Sequence, residues 1–120
     1  MTISNYGELA FLNTLRNTSF AVTAPYVKLH LGDPGEAATS NAAVETTRKV
    51  AAWSAAASGA IVTSATMEWT NVSTTEPYSH WSMWDDSTAG NALWSGALAT
   101  SAAVTAGDTF QITSLTLSLD

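Results

Sequence analysis

The stretch "YVKLHLGDPGE", Tyr26 to Glu36, decides how the chain is read. Val27, Leu29 and Leu31 alternate with Tyr26, Lys28 and His30, the two-residue period of a strand with one buried face. The alternation stops at Gly-Asp-Pro-Gly. Pro34 fixes its own φ, and Gly35 can adopt the positive φ that a type II turn requires at its third position. Asp33 can accept a hydrogen bond from the backbone two residues on and so hold the corner. The two acids, Asp33 and Glu36, also suggest a catalytic or metal-binding loop. A strand-ending turn uses every residue except Glu36 and needs no ligand, so Asp33, Pro34 and Gly35 are read as a structural signature.

Upstream of this strand the period is helical. Ser4 can cap a helix whose first turn carries Glu8. Leu9, Phe11, Leu12 and Leu15 then recur at helical spacing, predicting one short amphipathic helix over about 4–17. Gly7 weakens that helix by about 1 kcal/mol relative to alanine. Downstream, the period of two returns. Thr46 to Trp53 reads as a strand, and Ser54 to Gly59 as a small-residue turn. Ile61, Thr63, Ala65, Met67 and Trp69 make one long alternating face. "YSHWSMWDD" puts Trp81 and Met83 on one side and His80 and Trp84 on the other. "DDSTAGN" is a turn and "ALWSGAL" the returning strand. Phe110 and Ile112, then Leu115, Leu117 and Leu119, supply the last strands. Short strands with regular turns predict a mainly β fold: a single antiparallel β-sandwich, jelly-roll or immunoglobulin-like, over residues 1–120, with strands from about 25 to 119.

A length of 120 residues suits one domain with a substantial core. Charged residues make up 12% of the chain, against about 25% in ordinary globular proteins. Four Lys and Arg against ten Asp and Glu give a net charge of −6, which argues against nucleic acid and anionic membrane as partners. No segment approaches the ~18 apolar residues of a membrane span, so no membrane insertion is expected. The N-terminus lacks the basic and apolar regions of a signal peptide. The absence of cysteine removes disulfides, thiolate chemistry and Cys-ligated zinc.

Catalytic chemistry finds no constellation. His30 and His80 are the only histidines, and a zinc site would need them to converge with a carboxylate through folding alone. Asp85, Asp86, Ser87 and Asn91 form an oxygen-rich turn, but the spacing of an EF-hand is absent and any hairpin favours those residues. No G-x-S-x-G elbow follows a strand. The reading is therefore not an enzyme, with no catalytic, cofactor-binding or metal residues. Five tryptophans are the remaining excess. Trp69, Trp81 and Trp94 are expected in the core, because alanine supplies little of it. Tyr78, His80 and Trp84 are expected to share a face, either a core or subunit interface or a platform for stacking sugars.

The same stretches carry a family resemblance. "YVKLHLGDPGE" resembles "YVSLHTGDPGE", a signature of small tailed-bacteriophage virion proteins described as tail-fibre or minor tail proteins. In that family a short N-terminal helix precedes the signature and an Asn follows it, matching Asn41. A "YARQAVTFGAAS"-like strand comes next, which "TTRKVAAWSAAAS" fits with Arg48 on the family's arginine. "HWSMWDDSTAGNALWSGALAT" is similar to "HFGLWDAATGGNLLYSGAL", and "GDTFQITSLTLSLD" to the closing "GDTF…LTLTLD". One segment departs: "AAVETT" replaces "EVSGGSY", with Thr46 at the usual tyrosine.

The resemblance implies a non-enzymatic structural protein of a phage virion, assembled in the bacterial host cytoplasm and associated with the tail. Two alternatives stay open: a capsid-decoration protein of the same particle, and a carbohydrate-binding receptor module that touches host-surface glycan. The expected partners are further copies of the chain, as a homo-oligomer and most simply a trimer, and neighbouring virion proteins. Self-association is expected through the apolar face of the N-terminal helix or through the edge strand Leu115 to Leu119.

Overall fold

The computed structural model describes residues 1–119. The fold is mainly β and antiparallel, with one helix near the N-terminus. Its larger layer is a five-stranded sheet. β1 (Thr2–Ile3) lies at one edge, beside the long β7 (Ala92–Val104); β6 (Glu76–Trp84), β2 (Tyr26–His30) and β3 (Lys49–Val50) follow in that order. Val27 faces Met83 and Leu29 faces Trp81 across the central pair, and Met83 in turn faces Trp94. These side chains are all buried and form the inner face.

The second layer is a two-stranded ribbon broken in the middle. β4 (Ala60–Val62) pairs with β9 (Thr116–Ser118), and β5 (Met67–Trp69) pairs with β8 (Phe110–Ile112). The two ladders differ in register by one residue. The slip falls where Thr63 N–H donates to Leu115 O and Leu115 N–H donates to the Thr63 hydroxyl, at 3.0 and 2.9 Å. Ile61 thus pairs with Leu117, Met67 with Ile112 and Trp69 with Phe110, and these pairs pack against the large sheet. Because the side-chain period of a strand is two, the slip keeps apolar residues inward on both sides of the break. The long alternating face expected from Ile61 to Trp69 is therefore two strands, not one.

The helix α1 (Asn5–Thr14) precedes these layers. Ser4 caps it: its hydroxyl accepts from Gly7 N–H at 3.0 Å and donates to Ala92 O. At the far end Asn17 takes a left-handed φ of 61°. Thr18 N–H bonds Asn13 O and Asn17 N–H bonds Thr14 O, the paired closure of a Schellman motif. The expected limits at Ser4 and Asn17 are thus the cap and the closing residue, with the helix between them. Its amphipathic face does not behave as expected, since Gly7 is the helix's buried residue. A Cβ on Gly7 would stand 2.7 Å from Leu93 O, so the helix rests on β7 by close backbone approach.

The strand expected from Thr46 to Trp53 is short. Lys49 and Val50 pair with β2, while Trp53 makes an isolated bridge to Thr63. The preceding residues are held by side chains instead of a ladder. Glu76 accepts from Val44 and Glu45 N–H at 3.1 and 3.0 Å, and Trp69 Nε1–H donates to Thr47 O at 2.8 Å.

Candidate functional site

The Gly-Asp-Pro-Gly corner closes on itself. Asp33 Oδ1 accepts from Gly35 N–H at 2.9 Å, Gly35 sits at φ 74°, and Pro34 is buried. Asn41 Nδ2 donates to Asp33 O at 2.9 Å, and Leu31 N–H bonds Asn41 O at 2.8 Å. Asn41 thus ties the end of the loop to its beginning. Between them Ala38 is buried against Trp84 and Ala92.

Of the three residues expected on one face, His80 and Trp84 share it, in unbroken register with β2, and Tyr78 does not. The β6–β7 register shifts between Tyr78 and His80, a β-bulge that turns Tyr78 inward with Trp81. Tyr78 is fully buried and meets Phe110 edge to face at 5.1 Å. Its hydroxyl has no hydrogen-bond partner among the described residues. Burial, then the charges of Glu76 and Glu45, push its phenol up to about 12. His80 is half-buried, opposite His30 in the ladder, with Ser79 Oγ 2.8 Å from its Nδ1.

Trp84 belongs to a chain of hydrogen bonds that sequence reasoning did not find. Its indole N–H donates to Ser82 Oγ at 2.8 Å, and Ser82 Oγ lies 2.7 Å from His30 Nε2. His30 Nδ1 lies 2.9 Å from Ser40 O. A carbonyl only accepts, so Nδ1 carries the proton; Nε2 then accepts from the Ser82 hydroxyl, which in turn accepts from the indole. The imidazole is neutral and satisfied at both nitrogens. Burial holds its pKa below the ordinary histidine value; the Ser40 carbonyl opposes that, and the charges of Lys28 and His80 reinforce it. The network ties the signature loop to the centre of the sheet. Its signal in the sequence was a polar residue on each of two strands, but only the register shows that they meet.

Arg48 completes the cover over Trp84. Its guanidinium stands 4.1 Å from the indole centroid, a cation–π contact, and donates to Asp86 O and Ala89 O, each at 2.8 Å. In the turn itself, Asp85 Oδ1 and Oδ2 accept from the backbone N–H and side-chain amide of Asn91 at 2.7 and 2.9 Å. That carboxylate closes a hairpin. Among the described residues no three His, Asp or Glu side chains converge as a metal ion would require. Among the described residues no helix is long and apolar enough to cross a membrane.

Trp69, Trp81 and Trp94 are buried in the core. Exposed apolar side chains cluster at α1 and its C-terminal end, with others such as Val44, Val50 and Leu119 elsewhere. Tyr6, Leu9, Phe11, Leu12 and Leu15 are 42%, 63%, 40%, 63% and 85% exposed. Phe11 leans on Phe20 and Trp94 with centroids 5.3 and 5.9 Å apart. Beside it opens a groove of about 300 Å³ between α1 and the β4–β9 ladder, lined by Phe11, Ala56, Ile61, Trp94, Leu117 and Leu119 among others, all apolar.

The family model described as Podophage GP4 fiber I protein gp80 matches residues 2–120. The chain belongs to this podophage fibre family. Its family is thus one of phage fibre proteins, components of the virion. No curated protein matches the chain.

Proposed function

We propose that the chain is a non-enzymatic structural protein of the phage tail, acting through repeated contacts with its own copies and with a neighbouring virion protein. The family match across residues 2–120 carries this reading. The local chemistry supports it, because the candidate reactive groups are engaged in holding the fold. His30 is locked between Ser40 and Ser82, and Asp33 and Asp85 close turns. Assembly takes place in the host cytoplasm, before the particle is released. Antibody labelling of intact particles, viewed by electron microscopy, tests the location. Label on the tail is the expected result; label over the capsid surface would favour the decoration role instead.

The receptor-module alternative finds less support at the face first considered for it. Tyr78 is wholly buried, and Ala38 and Arg48 cover Trp84, so neither ring offers a free plane for a sugar. Tryptophan fluorescence should stay flat on titration with host cell-wall oligosaccharides. A saturable change would restore that alternative.

A further inference from the structure

We propose that Leu9 and Leu12 of α1 on one copy seat in the apolar groove between α1 and the β4–β9 ladder of the next copy. The inference deepens the fibre reading and rests on it. Tyr6, Leu9, Phe11, Leu12 and Leu15 leave about three large side chains' worth of apolar surface in water, on the order of 500–600 Å² at ~200 Å² each. That is at the top of the range for the largest patch on a typical monomer, ~300–600 Å². It is also about two-thirds of the ~800 Å² that each partner buries in a stable interface, before the exposed Leu119 on the groove rim is counted.

The stripe cannot fill the groove of its own chain. Phe11 faces that groove, and at 3.6 residues per turn Leu12 lies about 100° and Leu9 about 160° further round the helix. The occupant must therefore be foreign to the chain. The groove lining carries no charged side chain, so it offers nothing to select a charged ligand or segment. It matches an uncharged aliphatic stripe, and every copy carries one. A net charge of −6 is a modest repulsion and does not prevent copies from meeting along this uncharged seam. A stripe and a groove on different faces make a head-to-tail contact, which gives a ring of at least three copies where the rotation between neighbours closes and an open filament where it does not.

Sedimentation equilibrium of the full chain tests this. The wild type should show a mass that rises with concentration beyond that of a dimer. Leu12→Glu, at an exposed position, should keep the fold by circular dichroism and weaken association at least tenfold. A wild type that remains monomeric at its highest soluble concentration overturns the proposal, as does association that Leu12→Glu leaves unchanged. A monomer that uses the same stripe to bind a different virion protein also overturns it. The natural chain has no cysteine, so geometry can be read by cross-linking. Chains carrying Leu12→Cys mixed with chains carrying Ala56→Cys should be joined by a short bis-maleimide. Joining of Leu12→Cys chains to one another, with none in the mixture, would mean stripe-on-stripe packing and refute the seating in the groove. Capsid labelling with association intact would refute the tail reading alone; tail labelling of a monomer would refute this inference alone.

Discussion

Tyr78→Phe should make the protein more stable. Tyr78 is completely buried between the large sheet and Phe110, and its hydroxyl has no partner among the described residues. A buried hydroxyl that forgoes its hydrogen bonds with water costs about 1–3 kcal/mol. Phenylalanine keeps the ring and its edge-to-face contact and removes that cost. Against it stands the packing of one oxygen atom, a loss of a few dispersion contacts at about 0.1–0.2 kcal/mol each. The net gain is about 1 kcal/mol, or about 3–5 °C in Tm for a domain of this size.

The pH dependence gives a second readout on the same residue. Burial and the neighbouring Glu76 and Glu45 push the phenol up to about 12, whereas the unfolded chain titrates near the ordinary tyrosine value of about 10. The folded state thus holds its proton longer. This contribution is fully present below about pH 10 and is lost as pH rises from there to about 12, by about 2–3 kcal/mol in all. The Tyr78→Phe variant lacks this loss, so its advantage should widen above about pH 10. Urea melts of both proteins at neutral and alkaline pH measure both effects. A destabilisation of about 1 kcal/mol or more at neutral pH would refute the reasoning, since it would mean that the hydroxyl makes a bond, for example to an ordered water.

Three further outcomes are expected. Gly7→Ala should destabilise by about 1–2 kcal/mol in thermal melts although alanine favours helices, because its Cβ would stand 2.7 Å from Leu93 O; a more stable variant would show that the helix can lift off β7 without loss. Gly35→Ala, at φ 74°, and Asp33→Ala, which loses the bond to Gly35 N–H, should each cost about 1 kcal/mol, measured by urea denaturation; wild-type stability in both would show that the corner contributes nothing to the fold. Because burial keeps folded His30 neutral while the unfolded chain takes up a proton, stability should be level above about pH 6.5 and fall below it by up to about 1.4 kcal/mol per pH unit; a flat profile from about pH 6.5 to 5 would contradict the buried neutral imidazole.

What could be read from the sequence was local. The cap at Ser4, the turn at Gly35 and the alternation of Val27 with Leu29 each rest on residues adjacent along the chain, where backbone preference and side-chain period act directly. What could not be read depends on register. Between Tyr78 and His80 the ladder shifts, β7 running from Ala102 to Ala97 while β6 advances two residues, and Tyr78 ends on the opposite face from His80; nothing in "YSHW" marks it. The slip between Val62 and Met67 is equally silent, because Thr63 makes it with a side-chain oxygen that a threonine anywhere in a strand would carry. Gly7 was misleading for a related reason. Propensity counts it as a defect, whereas its missing side chain is what allows the helix to touch β7.

The placement of aromatic and aliphatic residues bears on how such a chain assembles. Three tryptophans, Trp69, Trp81 and Trp94, are spent in the core, and Trp84 is sealed by Ala38 and Arg48. With alanine supplying so little volume, these large rings are what fill the space between the two layers. The leucines at positions 9, 12 and 15 are then left outside, on a helix attached through a glycine. A helix held by its backbone exposes more of its circumference than one buried along an apolar stripe. Covering that circumference is worth little to the isolated domain but is available to every contact between copies. Each fully buried leucine can contribute about 1.5–3 kcal/mol there, so two or three of them suffice to hold neighbours together where the local concentration of copies is high, as it is on a particle.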